Sequence, residues 1–242
     1  MEIKRFFVTP DCLVDNKIYL TGMAYKHLGL VLRAKIGYKV IICLNDGKEY
    51  NCTIEKIDSN TIVLNVDSIV DADKRNHEVT LFAAILKNSK LDYVVQKAVE
   101  LGVAHFYPFI SNRCADKKFN LERARVIALE SAQQCGSSFL TNIYEPITFD
   151  EVIKKQKEYD TSLIAYECEN KDAVKDIDIK GNNIALIVGP EGGFEQKEVQ
   201  DIVNAGACSV TLGKRILRAD TAGIVFPALV LNQIGDLDYE DW

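Results

Sequence analysis

The 242-residue sequence predicts an α/β chain in two parts: a small antiparallel β-barrel over residues 1–73, then a parallel sheet with crossover helices over residues 74–242. Three observations carry this. Short strand-like runs separated by hairpin signals fill the first part. After the polar stretch Asp71–Asn76 the pattern changes to strands alternating with helices. Ile184–Val188 is apolar over consecutive positions, as suits a central parallel strand covered on both faces.

In chain order, Arg5–Val8 and Lys17–Leu20 read as strands, and Tyr25–Arg33 as a short helix with His27, Leu28, Val31 and Leu32 at helical spacing. Lys39–Leu44, Glu49–Ile57 and Thr61–Ile69 follow as strands, punctuated by Asn45-Asp46-Gly47 and Asp58-Ser59-Asn60. Beyond the linker, Val79–Leu86 is a buried strand. Ser89 and Asp92 then offer a capping-box-like start to a helix that presents Leu91, Val94, Val95, Ala98 and Leu101 on one face and stops at Gly102. Val103–Ile110 is the next strand, and a second helix follows Asn120 to about Cys135. A third helix opens on the capping box Thr148–Glu151, with the strand Ser162–Tyr166 after it. After Ile184–Val188 come a helix at Glu195–Asn204, a short strand at Ser209–Leu212, and a nearly all-round apolar helix from Asp220 to about Gln233 that Pro227 should kink. So apolar a helix belongs to a core or a subunit interface.

Hydrophobic residues make up 48% and charged residues 26%, the composition of an ordinary globular protein. No apolar run reaches membrane-spanning length, and Met1–Arg5 shows no secretory leader, so a cytoplasmic protein is expected. The seven cysteines form no C-x-x-C pair and the three histidines stand far apart, which argues against a metal site and for buried, reduced thiols. The net charge of −6 hides an asymmetry. Residues 1–40 carry Lys4, Arg5, Lys17, Lys26, Arg33, Lys35 and Lys39 against Glu2, Asp11 and Asp15, a basic head on an acidic body that can meet phosphate locally.

Ligands of parallel sheets bind beyond the carboxyl ends of strands, where two loops stand out. Gly189-Pro190-Glu191-Gly192-Gly193-Phe194 leaves the apolar strand but matches neither the dinucleotide-binding glycine pattern nor a P-loop. Pro190 removes a backbone donor, whereas the glycines permit close approach to a flat ligand, or merely a tight turn. The second loop, Gly213–Ala222, gathers Lys214, Arg215 and Arg218 beside Asp220 and Thr221. There the acid or hydroxyl either caps the last helix with Arg218 as its salt-bridge neighbour, or Arg218 anchors an anion or a developing negative charge.

Leu186–Gly193 paired with Leu212–Ala222 resembles the 16S ribosomal RNA uracil-N3 methyltransferase family (RsmE), of the trefoil-knotted SPOUT superfamily. The likeness extends to Arg5–Val8 and His27–Arg33, similar to that family's PUA-like RNA-binding domain, and to Gln96–Gly102 with Pro108 and Arg113, and Glu130–Gly136. It implies a knotted C-terminal domain, a homodimer built on the apolar last helix, S-adenosylmethionine as cofactor, and small-subunit 16S ribosomal RNA as substrate. It further implies that the cofactor sits among Leu186, Val188, Gly189, Pro190, Glu191, Gly192, Gly193, Leu212, Gly213, Ile216, Leu217, Arg218, Thr221 and Ala222, with Leu212, Ile216 and Leu217 packing on the adenine. RNA would be met by Arg5, His27, Arg33, Lys35 and Arg113. This chain departs from the family's pattern at Asp220, where Glu is usual, and at Ser137-Ser138-Phe139, where arginines are usual.

Uridine N3 is a poor nucleophile until its proton leaves. Arg218 is therefore expected to stabilise the negative charge that then spreads over N3, O2 and O4, while Asp220 or solvent accepts the proton. The alternatives are a ribose 2′-O-methyltransferase of the same superfamily, a non-catalytic RNA-binding assembly factor, and a nucleotide-dependent dehydrogenase, which the missing glycine pattern weighs against.

Overall fold

The structure, a computed structural model, describes residues 3–72, 75–87 and 89–238. These divide into two compact units, the first running up to residue 72 and including Ala132–Leu140, the second comprising Arg75–Ser131 and the chain from Thr141 onward. The expected boundary between residues 73 and 74 falls on residues outside those described.

The first unit is a six-stranded, barrel-like sheet in the order β1-β4-β5-β6-β3-β2, formed by β1 (Lys4–Phe7), β2 (Leu13–Val14), β3 (Lys17–Leu20), β4 (Lys39–Cys43), β5 (Lys48–Ile57) and β6 (Ile62–Asp71). All its pairings are antiparallel except β1 with β4, which the expectation of an antiparallel barrel had not included. Asn45 and Gly47 take the positive φ values that close the β4–β5 turn, and Asp46 accepts from the Lys48 N–H and the Tyr50 hydroxyl. Alternate positions of the strands fill the core with Phe6, Ile18, Leu20, Ile42, Ile54, Ile62 and Leu64, each contributing about 1.5–3 kcal/mol of burial. The helix expected at Tyr25–Arg33 is instead a single turn, α1 (Gly22–Tyr25), running into a π-helical stretch at Lys26–Val31. Leu28 alone of that stretch is buried, while Val31 is 68% exposed. Apolar spacing there marks surface, not core.

Ala132–Leu140 joins this unit through Glu49. Its Oε1 accepts from Arg5 Nε at 3.2 Å and Nη2 at 2.9 Å, and also from the Ser138 hydroxyl. Burial pushes the Cys43 and Cys52 thiols up to about 12, so both stay protonated at neutral pH. The expectation of buried thiols does not extend to Cys135, Cys168 and Cys208, which are exposed.

The second unit is a parallel sheet of seven strands in the order β10-β8-β7-β12-β11-β13, with β9 beside β8. Its strands are β7 (Glu78–Ala84), β8 (His105–Ile110), β9 (Asn142–Ile143), β10 (Ile147–Thr148), β11 (Thr161–Ala165), β12 (Asn183–Val188) and β13 (Cys208–Val210). Its helices are α2 (Lys90–Glu100), α3 (Leu121–Cys135), α4 (Phe149–Lys155), α5 (Gln196–Asn204) and α6 (Ala219–Gln233), α3 ending in the segment assigned to the first unit. Ile184–Val188 lies in β12, buried between β7 and β11, as its unbroken apolar run requires. Thr148 and Glu151 form the expected capping box on α4. The one expected at Ser89 is absent, because Asp92 instead pairs with Arg123 at 2.8 Å. Helix α6 runs through Pro227 without a break in its assignment. Gly223, one turn earlier, presses so closely on α2 that an added Cβ would stand 2.9 Å from Val94 Cγ1.

Candidate functional site

Three loops leave the carboxyl ends of neighbouring strands β12, β11 and β13 and enclose a cavity of about 320 Å³, within the range of small-molecule sites. The β12 loop contributes Val188, Gly189, Pro190, Glu191, Gly193 and Phe194. The chain after β13 contributes Thr211–Leu217, and the start of α6 adds Arg218, Ala219 and Ala222.

Side-chain packing dictates the glycines of the β12 loop. A Cβ on Gly189 would meet the Phe194 ring at 2.8 Å, and that ring stacks on Phe109 and lies 5.5 Å from Phe149. Gly193 has φ +68°, closes the turn by donating to the Pro190 carbonyl at 2.9 Å, and leaves no room for a Cβ beside the Glu167 carboxylate. Glu191 Oε1 accepts from the Lys87 N–H and from Lys90 Nζ, both at 3.2 Å, so the loop is moored to the start of α2. On its other side, Arg113 Nη1 donates to the Gly192 carbonyl at 3.3 Å, and Arg113 Nε lies 3.8 Å from Glu195.

Glu198, 5% exposed, holds this arrangement from beneath. It accepts from the Asn112 N–H at 3.0 Å and from the Glu195 N–H at 2.8 Å. Replacing it with alanine strands those two donors and is expected to cost about 2–3 kcal/mol, read from the denaturant midpoint.

The structure brings together eleven of the fourteen residues expected at the cofactor. Leu186 is fully buried within β12 and does not reach the cavity, and neither Gly192 nor Thr221 lines it. Leu212 and Leu217 are half-buried on the wall, while Ile216 is 82% exposed. Arg218 supplies the N-cap position of α6 with extended backbone, and neither Asp220 nor Thr221 caps the helix. Among the described residues, Lys214, Arg215 and Arg218 form no ion pair, so a salt bridge from Arg218 to its own helix does not account for its charge. Asp220 stands in the first turn, off the cavity wall, with Oδ1 buried and unbonded.

Of the five residues expected to meet RNA, His27, Arg33 and Lys35 are exposed on the first unit. Arg5 pairs with Glu49 at 2.9 Å, and Arg113, its side chain 51% exposed, donates to the Gly192 carbonyl at 3.3 Å.

The sequence reading missed the third wall: Ala165, Tyr166 and Glu167, directly after β11. The rule that ligands sit beyond strand ends applied to β11 as well, and an aromatic followed by a carboxylate was the available signal. The Tyr166 hydroxyl is held above its ordinary range by its hydrogen bond to Cys168 and by burial, so it remains protonated at neutral pH. The cavity thus joins apolar walls, loop backbone and the Glu167 carboxylate to Lys214, Arg215 and Arg218, which form no ion pair among the described residues. The apolar walls and backbone suit a flat heteroaromatic ring and the carboxylate suits a positively charged group, so these parts fit S-adenosylmethionine, whereas the cations suit a carboxylate or an anionic substrate.

The family model described as RNA methyltransferase domain matches residues 73–231, and the one described as RNA methyltransferase PUA domain matches residues 20–67. The ribosomal RNA small subunit methyltransferase E of Mesomycoplasma hyopneumoniae is 32% identical over 227 residues, covering 91% of this chain and 95% of that protein. The protein of the same name from Bacillus subtilis is 28% identical over 240 residues, covering 91% and 93%. Among solved structures, a methyltransferase from Legionella pneumophila in complex with S-adenosylmethionine superposes with a TM-score of 0.88 at 26% identity, covering 96% of this chain and 98% of that one. The ribosomal RNA small subunit methyltransferase E of Neisseria gonorrhoeae, bound to S-adenosylmethionine, gives 0.88 at 27% identity with the same coverage.

Proposed function

This chain belongs to the ribosomal RNA small subunit methyltransferase E family, and we propose that the base it methylates is a uridine, at N3, in small-subunit 16S ribosomal RNA. It is an S-adenosylmethionine-dependent ribosomal RNA methyltransferase. The observation that carries the reading is the meeting of the Gly189–Phe194 and Gly213–Arg218 loops on one cavity.

Bound there, S-adenosylmethionine supplies an electrophilic methyl group on a sulfonium. The protein's task is alignment and charge. Val188, Leu212 and Leu217 offer apolar surface to the adenine, the loop backbone offers hydrogen bonds to its edge, and Glu167 offers a carboxylate to a cationic group. Arg218, an exposed residue of the cavity lining with no ion pair among the described residues, offers its guanidinium to the incoming base. As N3 loses its proton, the negative charge shared with O2 and O4 is bound by Arg218. Of the two proton acceptors considered, solvent is the better placed, because Asp220 is not on the cavity wall.

The same proposal includes a trefoil-knotted second unit, a cytoplasmic homodimer joined through α6, whose Leu229 is 42% exposed, and RNA contact through His27, Arg33 and Lys35 on the first unit. Among the described residues no helix is long and apolar enough to cross a membrane, and no His, Cys, Asp and Glu cluster could hold a metal ion.

Mass spectrometry of small-subunit ribosomal RNA nucleosides, from cells with and without this protein, tests the reading. 3-Methyluridine is expected only in the former. A 2′-O-methylated nucleoside in its place would reassign the target atom to the ribose, and an unchanged nucleoside profile would leave an RNA-binding factor.

A further inference from the structure

A second cavity, of about 330 Å³, opens on the other side of the start of α2. Leu86, Leu91 and Phe119 give it an apolar side, while Ser89, Asp92, Lys118, Asn120 and Arg123 give it a polar one. The start of α2 is common to both cavities: Ser89 and Leu91 line this one, Lys90 lines the cofactor cavity, and the Lys87 N–H and Lys90 Nζ donate to Glu191 of the cofactor loop. We propose that this second cavity is a nucleotide subsite for the RNA strand next to the target base, taking the neighbouring base against Phe119 and its phosphate on Lys118 and Arg123.

The charges favour a phosphodiester. Arg123 Nε pairs with Asp92 at 2.8 Å, which orients the guanidinium and cancels one positive charge. Lys118 is exposed and forms no ion pair among the described residues, so it leaves the site net positive. Asn120 spends its side-chain oxygen on the Arg123 N–H, fixing the start of α3 beside the cavity. The Ser89 hydroxyl makes no cap bond, which leaves it available as a donor to a phosphate oxygen. Phe119 is half-buried and lines the cavity with the buried Leu86 and Leu91, and so offers a ring for a base to stack on. A free inorganic anion would have no use for that apolar side. A strand that runs from the cofactor cavity over the start of α2 sets its next nucleotide here.

This proposal rests on the RNA methyltransferase reading, and its test separates the two. The full chain and its Lys118→Ala and Phe119→Leu variants are compared for binding of unmodified small-subunit ribosomal RNA across a salt series, for methyl transfer to that RNA, and for S-adenosylmethionine affinity by calorimetry. Lys118→Ala should weaken RNA binding and lower the salt slope by about 0.7, the counterion released by one single-strand phosphate. Phe119→Leu should raise KM for RNA about tenfold, within the range of one lost base–aromatic stack. Cofactor affinity should stay within about twofold in both, because neither side chain lines the cofactor cavity. Unchanged RNA affinity and KM in both variants would overturn the subsite, as would loss of cofactor affinity, which would make these residues props of the first cavity. If even the unaltered chain transferred no methyl group, the methyltransferase reading would fail on its own, while the binding comparison would still decide the subsite.

Discussion

Replacing Arg218 by alanine is expected to lower kcat for methyl transfer about 10²–10³-fold, the loss seen when one donor to a developing oxyanion is removed. S-Adenosylmethionine affinity should change by less than about threefold, since a cationic side chain has little to offer a cationic ligand. The split follows from where Arg218 stands. Its backbone begins α6, with the Ala222 N–H donating to its carbonyl at 2.8 Å, so the start of the helix survives truncation of the side chain. Its guanidinium is exposed, unpaired among the described residues, and at the cavity rim, so its loss creates neither a void nor an orphaned partner. What disappears is positive charge at the point where uracil acquires negative charge. Arg218→Lys should recover part of the rate, because it keeps the charge and gives up the two-pronged geometry. Initial rates at saturating RNA and cofactor, alongside a calorimetric titration, make the comparison. A parallel fall in kcat and cofactor affinity would show that Arg218 shapes the cavity, and the charge-stabilising role would have to be given up.

Legibility from sequence followed the range of the interactions. Elements specified within a few residues were readable: the capping box at Thr148–Glu151, the turn at Asn45–Gly47, the stop at Gly102, and the unbroken apolar run of β12. The two cavity loops were also readable, because their composition is unusual over ten residues or fewer. Features decided by distant partners were not. That Arg5 has Glu49 as a partner could not be read, because the two lie 44 positions apart. Nor could the bond from Arg113 to the Gly192 carbonyl, 79 positions on. Asp92 was expected to cap α2 until Arg123, from α3, claimed its carboxylate. Tyr166 and Glu167 carried a local signal, but what makes them a cavity wall is the pairing of β11 between β12 and β13, a long-range arrangement.

The steepest consequence of a single added methyl group should appear at Gly189. In Gly189→Ala the new Cβ would lie 2.8 Å and 2.9 Å from two carbons of the Phe194 ring, closer than packed atoms tolerate. Phe194 has little freedom to yield: it is 3% exposed, stacked on Phe109 with ring centroids 6.3 Å apart, and tilted against Phe149 at 5.5 Å. The strain must therefore pass into the loop itself, moving Pro190, Glu191 and Gly193 on the cavity wall. Overpacking of this kind costs about 1–3 kcal/mol of stability. The larger effect should fall on the ligand, with S-adenosylmethionine affinity dropping at least about tenfold, because loop backbone that must sit within about 0.5 Å of its place no longer does. Gly206→Ala provides the contrast. Gly206 follows α5 at φ +115° with open space where its Cβ would go, and it lies away from the cavity. Backbone strain there should cost about 1–3 kcal/mol of stability and leave cofactor affinity intact. Thermal midpoints and calorimetric affinities of the two variants then separate loss of fold from loss of site. Equal affinities would mean that the Gly189 loop does not shape the cofactor's seat, since the two substitutions share a stability cost and differ in what surrounds the added carbon.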